Sequence, residues 1–184
     1  MTTKKVKIVF LGLLFFILSC SSQALAIDLY GFGSYWDKND VDGTWGGGIG
    51  LSLPLFTEHL RLDGRAYFFG SSDLGFGDNL TLIPLDLGLQ VHILPAAKLD
   101  PYILGGVSYI YVDSNRIGVD SDFGAYIGGG LELAMIESIL KLFGEIVYRT
   151  STLDTRFDTN IDVSGTTANI GINLHFCEKE RLFI

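Results

Sequence analysis

From Ile27 onward, the chain divides into eight segments in which apolar residues occupy alternate positions. A period of two is typical of β-strands, whose successive side chains point to opposite faces of a sheet. Every segment also contains glycine, which destabilises a helix interior by about 1 kcal/mol relative to alanine. The pattern therefore predicts eight strands, at Ile27–Trp36, Thr44–Phe56, His59–Phe69, Asn79–Leu94, Pro101–Val112, Phe123–Met135, Ile139–Thr150 and Thr166–Phe176.

The seventh segment, ILKLFGEIVYRT, has two local interpretations. Lys141, Glu145 and Arg149 are four residues apart, which places them in one stripe of a helix or on one face of a strand. The apolar residues between them also recur at helical spacing. Because alternation with a period of two is sustained over the rest of the chain, we interpret this segment as a strand too.

The connections between the segments alternate in length. Those after the second, fourth and sixth segments are short, whereas those after the first, third, fifth and seventh are longer and rich in aspartate. This asymmetry predicts an up-and-down meander of antiparallel strands, with a short-turn end and a long-connection end. Outer-membrane barrels have short periplasmic turns and long extracellular loops in the same way. The long connections are residues 37–43, 70–78, 113–122 and 151–165.

The two faces of the predicted sheet differ in composition. The apolar face suits a bilayer, since a closed barrel satisfies every backbone polar group. The other face combines small residues, such as Gly46, Gly48, Gly50, Gly128 and Gly130, with charged ones, as expected inside a barrel that eight strands make just wide enough for side chains to fill. An unpaired buried charge is costly, so we expect a near-balanced interior polar network with a structural role. Its members would be Arg61, Asp63, Arg65, Asp86, Glu132, Lys141, Glu145 and Arg149.

Aromatic residues gather near both ends of the segments, where the membrane interfaces would lie. In the alternative interpretation they are ordinary strand aromatics of a soluble β-protein. At the long-connection end these are Tyr35 or Trp36, Trp45, Phe68, Tyr109 or Tyr111, Phe123 and Tyr148, and at the short-turn end Phe56, Tyr102 and Phe176.

The N-terminus has the form of an export signal. Three lysines precede the apolar run IVFLGLLFFIL, and small residues follow up to Ala26. We predict a signal peptide at residues 1–26, a barrel at 27–176 and a short tail at 177–184. Lipidation at Cys20, within a sequence that resembles a lipobox, is the alternative to cleavage after Ala26. After that cleavage Cys177 would have no second cysteine to pair with, which excludes an internal disulfide or a thiolate zinc cluster.

Charge excludes one large class of partner. The chain has 13 basic and 21 acidic residues and a formal net charge of −8, and the lysines of the signal would be removed on export. Nucleic-acid binding needs a basic surface, so we do not expect it. The acids of DKNDVDG in the first long connection do not fall at EF-hand positions, and we predict no metal site and no cofactor.

Two stretches carry a family resemblance. PYILGGVSYIYV, from Pro101, resembles the segment that opens the fifth strand of small outer-membrane β-barrels of the OmpA membrane-domain and OmpX kind, and GINLHF, ending at Phe176, resembles their C-terminal insertion signal. The resemblance implies an all-β fold: a single up-and-down antiparallel transmembrane β-barrel of about eight strands, in the outer membrane of a Gram-negative bacterium. The partners it implies are outer-membrane lipid and lipopolysaccharide, the barrel-assembly machinery during insertion, and a surface ligand of the long loops.

Some barrels of this size modify lipid A, so an enzyme must be considered. The related lipid A deacylases carry a His-x-Ser pair, but His59, His92 and His175 are not followed by serine at that spacing. No Ser/His/Asp spacing predicts an activated nucleophile either. We therefore predict no catalytic residue and a non-enzymatic barrel with a structural or surface-interaction role. The alternatives are a narrow pore or side-opening channel for small apolar molecules, and a lipid A modifying enzyme with an unrecognised site.

Overall fold

Eight long strands make up most of the structure, a computed structural model that describes residues 26–39, 42–70, 72–73, 79–114, 122–136, 139–154 and 160–176. Each predicted segment corresponds to one strand, with ends that differ by a few residues. The strands are β1 (Ile27–Lys38), β2 (Thr44–Leu55), β3 (Thr57–Phe69), β4 (Asn79–His92), β5 (Leu99–Ser114), β6 (Asp122–Ile136), β7 (Leu140–Thr150) and β8 (Gly165–Phe176).

The strands form one closed antiparallel sheet. Each strand pairs with its neighbours in sequence, and β1 pairs with β8 along its whole length, from Ile27 opposite Phe176 to Lys38 opposite Gly165. No long strand is therefore left with an unpaired edge, as a sheet surrounded by hydrocarbon requires. The predicted fold, an eight-stranded up-and-down barrel, is confirmed.

The two ends of the barrel differ as the connection lengths predicted. At the short-turn end, β2 and β3 are joined by Phe56 alone, which adopts a positive φ of 58°. At the long-connection end, a two-stranded hairpin of Thr152–Asp154 and Asn160–Asp162 extends the connection between β7 and β8. A further short strand, Ser72–Asp73, pairs with the first residues of β4.

Strand β7 settles the ambiguity of the seventh segment. Its residues alternate between buried and exposed along the strand, and it pairs with both β6 and β8. Lys141 is 6% exposed and Arg149 is fully buried, whereas Ile146 on the opposite face is 63% exposed. The charged residues therefore point into the barrel and the apolar residues point outward.

The aromatic residues follow the predicted pattern with one exception, Tyr102, since Tyr35 of the alternative Tyr35 or Trp36 lies on the outer face. Trp36 is fully buried and Tyr102 is 4% exposed, so both point into the barrel. The prediction of Tyr102 at the membrane interface is wrong, because Tyr102 shares its face of β5 with the buried residues Leu104 and Ser108. Outward-facing aromatics are Trp45, Phe68, Tyr111, Phe123 and Tyr148 at the long-connection end and Phe56 and Phe176 at the short-turn end.

Small residues on the inner face of β2 make room for rings from β1. A Cβ atom added to Gly48 would lie 2.3 Å from Cζ of Phe32, and one added to Gly50 would lie 2.3 Å from Cζ of Tyr30. Because β2 lies between β1 and β3, these glycines let side chains of the two flanking strands meet. Phe32 contacts Tyr67 of β3 in this way, with 5.0 Å between ring centroids.

At the two termini, residues 1–25 and 177–184 lie outside the described residues. The signal peptide, the alternative lipidation at Cys20 and the tail that begins at Cys177 therefore stay predictions. In the part of the chain that the structure describes, no helix is long and apolar enough to cross a membrane.

We predict that Gly48→Ala destabilises the barrel and that Gly33→Ala does not. The added methyl group at residue 48 would meet Phe32 and, at 2.6 Å, the carbonyl oxygen of Ala66, whereas a Cβ atom at Gly33 has no other atom within 4 Å. Such overpacking typically costs about 1–3 kcal/mol. The measurement is the urea midpoint of unfolding in lipid vesicles, and equal midpoints for the two variants would contradict the role assigned to the inner glycines.

Candidate functional site

Glu145 of β7 lies at the centre of a polar network inside the barrel. Its carboxylate accepts a hydrogen bond from Nη1 of Arg65, which reaches across the lumen from β3. The Tyr102 hydroxyl donates to the same carboxylate at 2.7 Å, and Nδ2 of Asn169 donates at 2.8 Å. Glu145 therefore has one cationic and two neutral donors, which compensates for burial of its charge.

Asp63 of β3 forms the second centre of the network. Arg65 Nε donates to it at 2.5 Å and Gln90 Nε2 donates at 2.9 Å. The Tyr30 hydroxyl also donates to Asp63, from β1 and across the glycine face of β2. Arg65 thus bridges Asp63 and Glu145 and ties opposite walls of the barrel together.

Arg149 occupies the half of the lumen nearer the long connections. Its Nη2 atom donates to Asp86 Oδ2 of β4 at 2.6 Å. Its guanidinium carbon lies 5.1 Å from the ring centroid of Trp36 and 4.9 Å from that of Tyr67. Stacking on two aromatic faces stabilises a buried guanidinium group in addition to the ion pair.

Nearer the short turns, Glu132 and Lys141 form a pair between the adjacent strands β6 and β7. Lys141 Nζ donates to Glu132 Oε2 at 2.8 Å, and Asn173 Nδ2 of β8 donates to the other carboxylate oxygen at 2.9 Å. Both charged side chains are less than 10% exposed.

The remaining members of the network lie at the short-turn end. Arg61 of β3 bonds to Asp28 of β1, and Asp28 also bonds to His175 of β8. His92 Nδ1 lies 2.7 Å from Asp100 Oδ2, and His92 Nε2 lies 3.1 Å from Gln90 Oε1. Two aspartate–histidine contacts therefore line this end of the barrel.

The structure places all eight residues of the predicted network inside the barrel, each 6% exposed or less. Among these residues, Arg65 pairs with both Glu145 and Asp63, and Lys141 pairs with Glu132. Arg149 pairs with Asp86 of β4. Arg61 bonds to none of the predicted acids, because its partner is Asp28.

Sequence reasoning missed Asp28, Asp100 and the tyrosines that donate to the network. In IDLYGFGSYW both faces of the strand carry aromatic or apolar residues, so the sequence pattern does not show which face points into the barrel. Asp28 lies on the inner face. A signal did exist, since Asp28 is two residues from Tyr30 and therefore shares its face. For Asp100 the signal was weaker, because the predicted strand began at Pro101 whereas β5 begins at Leu99.

The side chains of the network are buried within the described part of the lumen. A small cavity among these side chains has room for roughly one water molecule. The residues that line it include Tyr30, Ser52, Gln90 and Asn173.

Nearer the long-connection end, the rings of Trp36 and Phe69 pack with 5.1 Å between their centroids. They belong to a buried cluster that includes Leu82, Ile110 and Val163.

Comparison with known protein families identifies the group to which this barrel belongs. The sequence profile of the family described as outer membrane protein beta-barrel domain matches residues 10–176. The chain belongs to this family. The outer-membrane barrel therefore faces lipid with its apolar outer surface, in the outer membrane of a bacterium. No significant match was found among curated proteins.

Solved structures show the same fold at low sequence identity. The barrel matches Neisserial surface protein A with a TM-score of 0.65 and 10% identity, over 84% of this chain and 98% of the other. It matches the N-terminal β-barrel domain of Pseudomonas aeruginosa OprF with a TM-score of 0.56 and 15% identity, over 84% and 100%. The attachment invasion locus protein Ail of Yersinia pestis gives a TM-score of 0.51 and 15% identity, over 84% and 99%.

At the long-connection end of the barrel, Asp162 forms hydrogen bonds within the connection between β7 and β8 and to the residue that follows β1. It accepts hydrogen bonds from the backbone N–H of Ser164 at 2.9 Å and from Nδ2 of Asn39 at 3.0 Å. Hydrogen bonds from Ser164 and Asn39 hold the pKa of Asp162 below its ordinary value of 3.8. Because the pKa is lowered in the folded protein, the contribution of this contact is present at neutral pH and is lost as the pH falls through the lowered pKa.

We predict that the amide resonance of Ser164 titrates with a midpoint below 3.8, because protonation of Asp162 weakens the hydrogen bond from Ser164. The measurement is a pH titration by NMR of the barrel in detergent micelles. In Asp162→Asn the same resonance should show no transition in this pH range. A midpoint above 3.8, or a transition that persists in the variant, would contradict the assignment.

We predict that Glu145→Ala destabilises the barrel by about 3–5 kcal/mol, because it leaves Arg65 with an incompletely compensated buried charge. Glu58→Ala is the matched control, since Glu58 lies on β3 at the short-turn end and is exposed. The urea midpoint of unfolding in vesicles compares the two variants. A shift for Glu145→Ala as small as that for Glu58→Ala would show that the network does not stabilise the fold.

Proposed function

We propose that this outer-membrane barrel is non-enzymatic and serves a structural or surface-interaction role. The observation that carries the proposal is the filled lumen, in which charged side chains bond to one another instead of facing a channel or a substrate cavity. Arg65 joins Asp63 to Glu145 across the barrel axis, and Arg149 joins Asp86 to the rings of Trp36 and Tyr67. Both contacts obstruct passage along the lumen.

The surroundings of the histidines support a non-enzymatic role. His92 bonds to Asp100 and Gln90, His175 bonds to Asp28, and His59 Nδ1 lies 2.8 Å from the carbonyl oxygen of His92. Within the described residues, none of them contacts a serine, threonine or cysteine side chain through a hydrogen bond. A nucleophile activated by histidine requires such a contact.

We further propose that the long connections interact with cationic groups at the cell surface. Aspartates outnumber basic residues in all four of them. One structure of Ail contains the heparin analogue sucrose octasulfate, a polyanion. The acidic connections of this chain would repel such a ligand, whereas divalent cations shared with lipopolysaccharide phosphates, or basic surfaces, would be attracted.

The last strand supports recognition by the barrel-assembly machinery during insertion. Strand β8 alternates between inward polar residues, Asn169 and Asn173, and outward apolar residues, and it ends at Phe176, which is 52% exposed. Its pairing with β1 closes the barrel. We propose that this outward aromatic end is the part of β8 that the machinery recognises before closure.

We predict that the purified barrel gives no steady conductance in planar lipid bilayers, because Arg65 and Arg149 hold side chains across the lumen. The double variant Arg65→Ala/Glu145→Ala is the comparison, since it removes the central contact. Heat-dependent gel mobility first verifies that each protein is folded. Steady conductance of the unmodified barrel would overturn the proposal in favour of a narrow pore.

An enzymatic role is tested separately. Lipid A from cells with and without the protein should give identical mass spectra. A reproducible difference in acyl chains or phosphates between the two would overturn the non-enzymatic assignment.

A further inference from the structure

Three buried side chains converge on one point at the short-turn end of the barrel. His92 ends β4, Asp100 follows it across the turn at 93–98, and Glu132 lies directly opposite Asp100 on β6. One ligand atom from each side chain lies within 4.8 Å of the other two. All three residues are 5% exposed or less. The convergence follows from strand order, because β4, β5 and β6 are consecutive neighbours in the sheet.

Each of the three side chains is held in place by a second contact. His92 Nε2 faces Gln90 Oε1 at 3.1 Å, Asp100 Oδ1 accepts the N–H of Leu94 at 2.9 Å, and Glu132 Oε1 accepts a hydrogen bond from Asn173 at 2.9 Å. The Tyr102 ring also stacks on the imidazole of His92, with 5.1 Å between centroids. Metal ligands in proteins are oriented in this manner by outer hydrogen bonds.

The orientation of Gln90 decides which nitrogen of His92 is available. Gln90 Nε2 donates to Asp63 at 2.9 Å, which turns its carbonyl oxygen toward His92 Nε2. His92 Nε2 therefore carries the proton and donates a hydrogen bond to Gln90 Oε1. The Nδ1 atom lies 2.7 Å from Asp100 Oδ2 and carries no proton. It can therefore bind a cation together with the Asp100 carboxylate.

Asp100 is distinguished from the other buried carboxylates by its partners. Asp28, Asp63, Asp86, Glu132 and Glu145 each form an ion pair with an arginine or a lysine. Among the described residues, the ion-pair partner of Asp100 is His92. A buried carboxylate requires a compensating cation. For Asp100, a cation would lie between its carboxylate and Nδ1 of His92.

Contrary to the prediction of no metal site from the sequence, we propose that His92, Asp100 and Glu132 bind a divalent transition-metal ion of the zinc class at the short-turn end of the barrel. One imidazole and two carboxylates suit zinc, which prefers nitrogen and oxygen ligands at about 2.0–2.2 Å, rather than calcium or magnesium, which prefer oxygen alone. In a tetrahedral site the ligand atoms lie about 3.3 Å apart. The three side chains reach this spacing with movements of about 1.5 Å or less from their present separations.

Lys141 is the competitor for the site. Its Nζ atom bonds to Glu132 at 2.8 Å, so a bound metal ion must share that carboxylate with a positive charge. Removing the charge of Lys141 should strengthen metal binding, whereas removing Asp100 should weaken it.

The test is calorimetric titration of the purified, metal-stripped barrel, without a polyhistidine tag, in detergent micelles with ZnCl₂. We expect one zinc ion per barrel and a loss of affinity of about 100-fold or more in Asp100→Asn, since loss of even an outer contact costs 10–100-fold. Lys141→Gln should bind zinc more tightly than the unmodified protein. Glu58→Gln, which alters an exposed carboxylate outside the group, should leave binding unchanged.

Further measurements exclude binding elsewhere. Cobalt should give the visible absorption of a tetrahedral site in the unmodified barrel and lose it in His92→Gln, and heat-dependent gel mobility verifies that each variant is folded. No saturable zinc binding would overturn the proposal. Unchanged zinc affinity in both Asp100→Asn and His92→Gln would also overturn it, and so would calcium binding as tight as zinc binding. Either result would place the ion on the acidic connections.

Discussion

The pairing of β1 with β8 is the interaction on which the rest of the structure depends. A strand in hydrocarbon has no water to satisfy its backbone, so each N–H and C=O group needs a partner within the protein. The contact from Ile27 opposite Phe176 to Lys38 opposite Gly165 supplies the last set of partners and converts a meander into a barrel. Closure also creates an enclosed interior, and with eight strands that interior is narrow.

A narrow interior explains why small and large residues are combined on the inner face. The inner positions of β2 carry Gly46, Gly48, Gly50 and Ser52, which leave space for side chains from β1 and β3. Tyr30 reaches Asp63 across this space, and Arg61 reaches Asp28. The polar network is therefore made possible by glycine, because bulky side chains on β2 would separate the strands that it joins.

The two ends of the lumen have different chemistry. Near the long connections, Trp36 and Phe69 pack with apolar neighbours, and Arg149 lies against Trp36. Near the short turns, histidine and aspartate side chains dominate, including the group of His92, Asp100 and Glu132. The lumen is thus closed by rings near the long connections and by ion pairs at its centre, and aspartate–histidine contacts lie near the short turns.

Alternation in the sequence determined much of this protein by itself. It predicted eight antiparallel strands, the inward face of Lys141, Glu145 and Arg149, and the long and short ends, since the side chain of each strand residue is assigned by parity alone. Parity failed where both faces of a segment looked alike, as for Asp28. Tyr102 was misassigned for the same reason, because both faces of its strand carry apolar residues.

Only the tertiary structure decided which charges meet. Arg65 pairs with Glu145 over 80 residues of sequence, and Arg149 pairs with Asp86 over 63. These partners lie on strands that are not adjacent, so their contacts depend on the closure and stagger of the whole sheet. The sequence determined which side chains enter the lumen, because that is a local property of each strand. Their heights and opposing positions are properties of the closed barrel, which no single segment contains.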